Sequence, residues 1–261
     1  MPFTRAVVRP PSRSFAAGLS SAAQGPPDIG RALEQHAAYV RALRDCGLRV
    51  TSLEADSEYP DGTFVEDTAI VAERGAILTR PGAPSREGEV QSIAACLRNF
   101  YTDLLAIRAP GTVDAGDICE ADGHFLIGLS ARTNEHGARQ LAEHLGALKY
   151  TSSMIDIRSH AALLHLKSGI AYLGDGVWTV QSGIEVLLRS QSGIDVRDLI
   201  VLPPSEAYAA NCVRVNDAIL VAAGYPTMSA ALEQRSCRLL HLDMSEFRKM
   251  DGGLSCLSLR F

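Results

Sequence analysis

The sequence predicts an α/β fold built from repeated hairpin–helix–strand units, in which the two ends of the chain join to complete the last unit. Three observations lead there. An order of two short apolar strands, a tight turn, a helix and a further strand recurs four times along the 261 residues, and recurrence of a supersecondary unit at this scale marks a repeat architecture. The hairpin turns fall near Gly75, Gly123, Gly176 and Asp217, residue types suited to tight reversals. The pieces left over at the termini are those that a fifth unit needs, and joining them would close a ring and remove open sheet edges. The alternative is an ordinary mixed α/β sheet whose regularity is accidental.

Taken in order, residues 4–9 read as a strand, stopped by Pro10 and Pro11. Residues 14–25 are small and polar, with Leu19 the largest apolar side chain, and a long loop of this kind suits a lid. Pro27 and Asp28 open a helix over 29–46, with Leu33, His36, Ala37, Val40 and Leu43 on one face, and Gly47 ends it. Residues 49–54 form a strand. The first repeated unit is a hairpin of 68–72 and 76–79, a helix over 86–100 and a strand over 104–108. The second is 117–120 with 124–128, a helix over 134–145 and a strand over 153–157. The third is 168–173 with 177–181, a helix near 184–190 and a strand at 199–202. The fourth is 212–215 with 218–222, a helix over 228–234 and a strand at 239–242. The tail, 254–260, pairs with 4–8 to begin the fifth, which continues through the helix from Ile29 and the strand from Arg49. A single domain over 1–261 is expected.

Composition narrows the function. The chain is 46% hydrophobic and 21% charged, an ordinary globular balance, and its formal charge of −5 argues against a general nucleic-acid binder. No apolar run approaches the length that crosses a bilayer, and no signal-peptide core is present. The six cysteines show no C-x-x-C spacing and the seven histidines no H-E-x-x-H spacing, so no metal is expected. Reduced thiols and a cytoplasmic location follow.

The stretch from Met250 to Phe261 is the chemically suggestive one. Gly252 and Gly253 allow positive φ and a close approach to a ligand. Cys256 follows at the start of a strand-like tail in which Leu257, Leu259 and Phe261 alternate with Ser258 and Arg260. A glycine turn delivering a thiol to a strand end suits a nucleophile, although a lone cysteine is often a small buried hydrophobe, as Cys119 is read to be. Ring closure would bring the hairpin entries together: Asp61, Glu66 and Asp67; Asp114 and Asp117; His165; Asn211 and Cys212; Asp251 and Cys256. Each has a plainer reading. His165 sits between two leucines as a packed residue would, and acids before hairpins cap turns.

The motifs at 61–67 (D-G-T-F-V-E-D), 114–117 (D-A-G-D), 130–134 (S-A-R-T-N), 165–169 (H-L-K-S-G) and 251–256 (D-G-G-L-S-C), in this order, resemble those of dimethylarginine dimethylaminohydrolase, in the guanidine-modifying or pentein superfamily. The resemblance spans almost the whole chain. It departs at Ala115, where the family usually has glycine, and at Met250, which replaces a smaller aliphatic residue. It implies a five-bladed α/β propeller with Cys256 as nucleophile, His165 as general acid and base, and Asp114 orienting the histidine. It places Leu19, Asp61, Phe64, Glu66, Asp67, Arg86, Arg132, Met250 and Asp251 at substrate contacts. It implies no cofactor and no metal, a small methylated arginine as partner, no nucleic acid or membrane, and is compatible with a homodimer.

These residue types suit the chemistry. A guanidinium carbon is a poor electrophile that needs a strong nucleophile, and a thiolate stabilised by the substrate's own cation meets that need. Carboxylates such as Glu66 and Asp67 would hold the planar cation by forked bonds. His165 would protonate the departing amine and then activate water. Arg86 and Arg132 would take the α-carboxylate. The expected reaction converts Nω-methylated arginines to citrulline and an amine through an S-alkylthiouronium intermediate. The alternatives are another guanidine hydrolase such as an arginine deiminase, and a non-catalytic pentein that binds a macromolecule. Lys167 stands where deiminases usually carry the second acid of a His-x-Asp pattern.

Overall fold

A computed structural model describes residues 2–261. The chain forms two compact units, Met1–Glu66 with Cys212–Phe261 and Asp67–Asn211. Strand β1 (Arg5–Val8) is followed by α1 (Ile29–Asp45), whose cap Asp28 accepts the Arg31 amide, and by β2 (Arg49–Ser52), parallel to β1. The second unit then builds three sheets: β3 (Ala69–Ala72), β4 (Gly75–Leu78), α2 (Glu89–Leu97) and β5 (Leu104–Ala106); β6 (Ile118–Ala121), β7 (His124–Leu129), α3 (Glu135–Ala147) and β8 (Thr151–Asp156); and β9 (Ile170–Gly174), β10 (Val177–Gln181), α4 (Glu185–Arg189) and β11 (Asp198–Leu202). The first unit resumes with β12 (Val213–Val215), β13 (Ala218–Ala222), α5 (Pro226–Glu233) and β14 (Arg238–Leu242). It ends with α6 (Ser245–Arg248) and β15 (Leu259–Arg260), which pairs antiparallel with β1.

Five three-stranded sheets result, the number a five-bladed propeller requires, and the fifth is assembled from both chain ends as expected. Each of the other four is an antiparallel hairpin whose second strand pairs parallel with the strand after the helix. The parallel step needs a crossover long enough to return, which the helix supplies. The middle strands β7 and β13 are buried along their whole length, and their apolar runs lack the alternation of a half-exposed strand. Two hairpin turns, Asp122-Gly123 and Asp175-Gly176, hold both residues at positive φ, the twist that a two-residue loop needs. In the first unit Asn216 ties separate segments together: its side chain accepts from Phe3 N at 2.7 Å and donates to Cys46 O at 2.8 Å.

The sequence reading needs four corrections. The buried face of α1 runs through Ala32, Gln35, His36, Tyr39, Val40 and Leu43, while Leu33 is 44% exposed. The stripe is rotated because Gln35 and Tyr39 find hydrogen-bond partners there: Gln35 Nε2 donates to Ser245 Oγ at 2.8 Å, and the Tyr39 hydroxyl lies 2.7 Å from Ser258 Oγ. The helix expected over 86–100 is shorter, because Pro84–Arg86 forms a separate 3₁₀ turn and Gly88 interrupts before Glu89. Helix α6 went unread, being a single turn. The tail is a strand only at Leu259–Arg260, and Ser255–Leu257 is a 3₁₀ turn.

Those last residues still carry much of the closure. Leu259 is buried, Thr4 N and Arg5 N donate to Phe261 O at 2.9 and 2.7 Å, and Phe261 N donates to Arg5 O at 3.0 Å. Losing one buried leucine costs about 2–5 kcal/mol. A chain ending at Ser258 is therefore expected to melt about 5–15 °C lower. A thermal scan that showed an unchanged cooperative transition would mean that β15 contributes nothing to closure.

Candidate active site

A short 3₁₀ turn precedes the first hairpin strand of every repeated unit: Val65–Thr68 before β3, Ala115–Asp117 before β6, Leu166–Ser168 before β9, Pro204–Ala210 before β12 and Ser255–Leu257 before β15. The expected catalytic residues sit in or beside these turns. A turn at a strand entry leaves side chains free of the ladder while the sheet fixes its direction.

In the second unit the turns gather a buried ionic cluster. His165 Nε2 lies 3.0 Å from Asp114 Oδ2, and Asp114 Oδ1 accepts the Gly82 amide at 2.7 Å. Asp67 Oδ1 accepts the Gly116 amide at 2.8 Å and its Oδ2 accepts Arg86 Nη1 at 2.6 Å. Burial works against charge on His165, but Asp67, the Asp114 bond and Asp117 outweigh it and raise its pKa to about 9. Burial likewise works against charge on Asp67, yet His165 and Arg86 lower its pKa to about 2. The ring is thus an imidazolium at neutral pH. One atom from each of Asp67, Asp114 and His165 lies within 4.8 Å of the others. A metal ion could use this trio only after displacing the imidazolium proton.

Asp117 has the structural role that turn acids commonly take. It accepts Ser130 Oγ at 2.6 Å, Thr133 Oγ1 at 2.7 Å and the Leu166 amide at 3.0 Å, so it fixes the backbone next to His165. Burial pushes its pKa up. Arg86 differs from expectation in its partners. It is buried, with Nε and Nη2 turned to Glu89 at 2.8–3.2 Å and Nη1 to Asp67. Burial disfavours its charge, but the two carboxylates hold its pKa well above the ordinary value. Arg132 is half-buried, and its guanidinium makes no hydrogen bond or ion pair among the described residues. The departure at Ala115 is harmless, since Ala115 packs in the core beside Val113 and Ile118. The tight position is Gly116, where a Cβ would stand 2.7 Å from His165 Nδ1 and 2.9 Å from Asp67 Oδ1.

The first unit holds the thiol. Cys256 is half-buried, whereas Cys46, Cys96, Cys119 and Cys212 are buried. The Gly253 amide points at Cys256 Sγ from 3.4 Å, and Ser255 Oγ lies 4.0 Å from the sulfur. Ser255 Oγ donates to Glu66 Oε2 at 2.7 Å. The positive φ expected of the glycine pair belongs instead to Asp251, at 57°. Gly252 is needed for packing, because a Cβ there would fall 2.2 Å from Phe64 Cε1. Phe64 and Met250 are themselves buried, and Phe64 packs against Phe15 and Phe247. Leu19 is 43% exposed, and its amide donates to both oxygens of Asp61 at 3.1 Å. Asp251 Oδ2 accepts Ser21 N at 2.6 Å. Sequence reasoning missed the supporting residues Gly82, Gly116, Thr133, Ser255 and Arg260. Gly116, Thr133 and Ser255 lie inside the motifs at 114–117, 130–134 and 251–256, whereas Gly82 and Arg260 lie outside every motif.

No family model matches the chain. It is 42% identical over 260 residues to the N(G),N(G)-dimethylarginine dimethylaminohydrolase of Pseudomonas aeruginosa, covering 99% of this chain and 100% of that one. The chain belongs to the dimethylarginine dimethylaminohydrolase family. Two solved structures agree. A cysteine-to-serine variant of the Pseudomonas aeruginosa enzyme, complexed with citrulline, superposes with a TM-score of 0.94 at 41% identity over 100% of both chains. A histidine-to-glycine variant of a dimethylarginine dimethylaminohydrolase, as an adduct with S-methyl-L-thiocitrulline, gives 0.94 at 42% identity, covering 99% of this chain and 100% of that one. The chain therefore has the five-bladed pentein fold and is an amidine hydrolase of this family.

Two outcomes follow from the cluster. Gly116→Ala is expected to lose about 1–3 kcal/mol of stability and to lower kcat by displacing His165; a variant with wild-type melting and kcat would show that the ring tolerates the methyl. His165 gains its stabilisation from a folded pKa of about 9 against an unfolded 6.5. Its contribution is full below the unfolded value and is lost as pH rises through the folded one. Between about pH 6 and about pH 9.5 the stability difference between wild type and His165→Asn should shrink by about 2–3 kcal/mol. Denaturant melts at both pH values check this, and a flat difference would mean a neutral ring.

Proposed function

We propose that the chain hydrolyses Nω-methylated arginines to citrulline and dimethylamine or methylamine. The observation that carries the reading is the buried His165 ring, 3.0 Å from Asp114, in a chain whose half-buried Cys256 lies in the same kind of turn. Glu66 and Asp67 bind the guanidinium, and the guanidinium of Arg132, which makes no hydrogen bond or ion pair among the described residues, takes the α-carboxylate. Arg86 serves through Asp67, whose carboxylate it orients. Leu19, Asp61 and Asp251 hold the loop at 18–21 over the substrate, and Phe64 and Met250 support the turn that carries the thiol.

The Cys256 thiolate attacks the guanidinium carbon and forms a C–S bond. His165 gives its proton to the methylated nitrogen, and the C–N bond breaks to release the amine. An S-alkylthiouronium remains. Neutral His165 then takes a proton from water, which attacks the same carbon; the C–S bond breaks to return the thiolate and leave the urea of citrulline, and the water's second proton passes to solvent, where the released amine takes it up. We place the enzyme in the cytoplasm, on its six unpaired cysteines, as a single catalytic domain. No helix among the described residues is long and apolar enough to cross a membrane.

Cys256→Ser should fold and lose turnover, while Cys119→Ser, altering a buried packing residue, should keep it. Mass spectrometry after a quench should find the substrate adduct on Cys256; near-wild-type turnover in the serine variant would sink the assignment. Arginine deimination is the competing reading. Lys167 in place of a second acid disfavours unsubstituted arginine, whose extra N–H donors would go unpaired. Asymmetric dimethylarginine and monomethylarginine should therefore exceed arginine in kcat/KM, with symmetric dimethylarginine poor. Arginine as the best of the four substrates would replace this reading with a deiminase.

A further inference from the structure

We propose that Arg260 is a positioning residue for Cys256, one guanidinium that cinches the nucleophile's turn and neutralises the carboxylate behind it. The inference rests on Cys256 being the nucleophile. Arg260 lies on β15, where its backbone pairs with Ala6. Successive strand residues face opposite ways. Leu259 is buried and Arg260 points to the other face, its side chain only 14% exposed. There Nη1 reaches Ser255 O at 3.3 Å, Ser258 O at 3.1 Å and Ser258 Oγ at 2.7 Å, while Nη2 stands 3.5 Å from Glu66 Oε1.

Ser255 and Ser258 flank Cys256 and Leu257. One planar side chain therefore holds both ends of the turn that carries the sulfur. The ring of contacts is closed from the other side, since Ser255 Oγ donates to Glu66 Oε2 at 2.7 Å and sits 4.0 Å from Sγ. The Tyr39 hydroxyl, 2.7 Å from Ser258 Oγ, anchors the far end. Glu66 is almost wholly buried. Without Arg260 its negative charge would stand one hydroxyl away from the sulfur with its counter-charge removed, and a thiolate there would be disfavoured. Lysine could supply the charge but not a fork that serves three oxygens and a carboxylate together.

The test reads the thiol and the turnover separately. In Arg260→Met the rate at which iodoacetamide alkylates Cys256, followed by mass spectrometry at neutral pH, should fall about tenfold, and kcat for asymmetric dimethylarginine should fall about 10–100-fold with KM changing about threefold or less. Neutralising the carboxylate as well, in the double variant Glu66→Gln with Arg260→Met, should restore alkylation to within about threefold of wild type. Packing alone predicts no such rescue. Tyr39→Phe, which loosens the same tail without altering charge, should lower the melting temperature and leave alkylation unchanged. Wild-type alkylation and kcat in Arg260→Met, or an unrescued double variant, would overturn the proposal. If the methionine variant fails to fold, Arg260→Lys decides: kcat is expected to fall, and a wild-type kcat would overturn it. Turnover surviving in Cys256→Ser would instead count against the nucleophile assignment and leave the clamp untouched as a structural feature.

Discussion

A buried imidazolium is the constraint around which the second unit is arranged. Burial alone would leave His165 neutral, and the surrounding carboxylates reverse that preference. A charge in such a place is stable only while each partner is itself oriented and hydrogen-bonded. The requirement spreads outward. Asp114 needs the Gly82 amide, and Asp67 needs the Gly116 amide and Arg86. Arg86 in turn needs Glu89, and the backbone beside His165 needs Asp117 with its two hydroxyl donors. Glycine stands at 82 and 116 because side chains there would occupy the space of the Arg132 backbone and of the His165 ring.

The repeat explains how unrelated chemistries come to occupy equivalent places. Each unit enters its hairpin through a 3₁₀ turn, and the sheet behind it needs only apolar residues of the right period. The turn can therefore vary without disturbing the strands. One unit uses its turn for a carboxylate, another for a histidine, and the tail for a thiol. The recurrence lies in the backbone, and the function lies in what each turn happens to carry.

The same division decides what could be read from the sequence. The five sheets were legible because hairpins with short polar turns and apolar strands are local signals, and so were the motif residues at the turns. What failed depended on partners remote in sequence. Spacing puts Leu33 on the buried face of α1, yet Gln35 and Tyr39 take that face through hydrogen bonds to residues about two hundred positions away. Leu257, Leu259 and Phe261 alternate like a strand, but the Arg260 bonds to Ser255 and Ser258 hold the first part as a turn. The glycine pair suggested a left-handed turn, and the left-handed residue is Asp251 while Gly252 makes room for Phe64. Arg86 looked like a ligand for the α-carboxylate, and the buried pair that engages it, Asp67 and Glu89, shows no periodicity that sequence could reveal.

The electrostatics around His165 and those around Cys256 also order the proposed reaction. With a pKa of about 9, His165 enters as an acid at neutral pH, so the first proton movement is toward the leaving amine. Only after that transfer is the ring neutral and able to take a proton from water. Asp67 stays ionised and faces the same ring, so its charge favours the imidazolium that forms when the ring takes a proton from water. On the thiol side the charges are balanced instead, with Arg260 against Glu66. The sulfur then owes its activation mainly to the Gly253 amide and to the incoming guanidinium. A nucleophile whose cation arrives with the substrate is least reactive when the site is empty, which protects a half-buried thiol from other electrophiles.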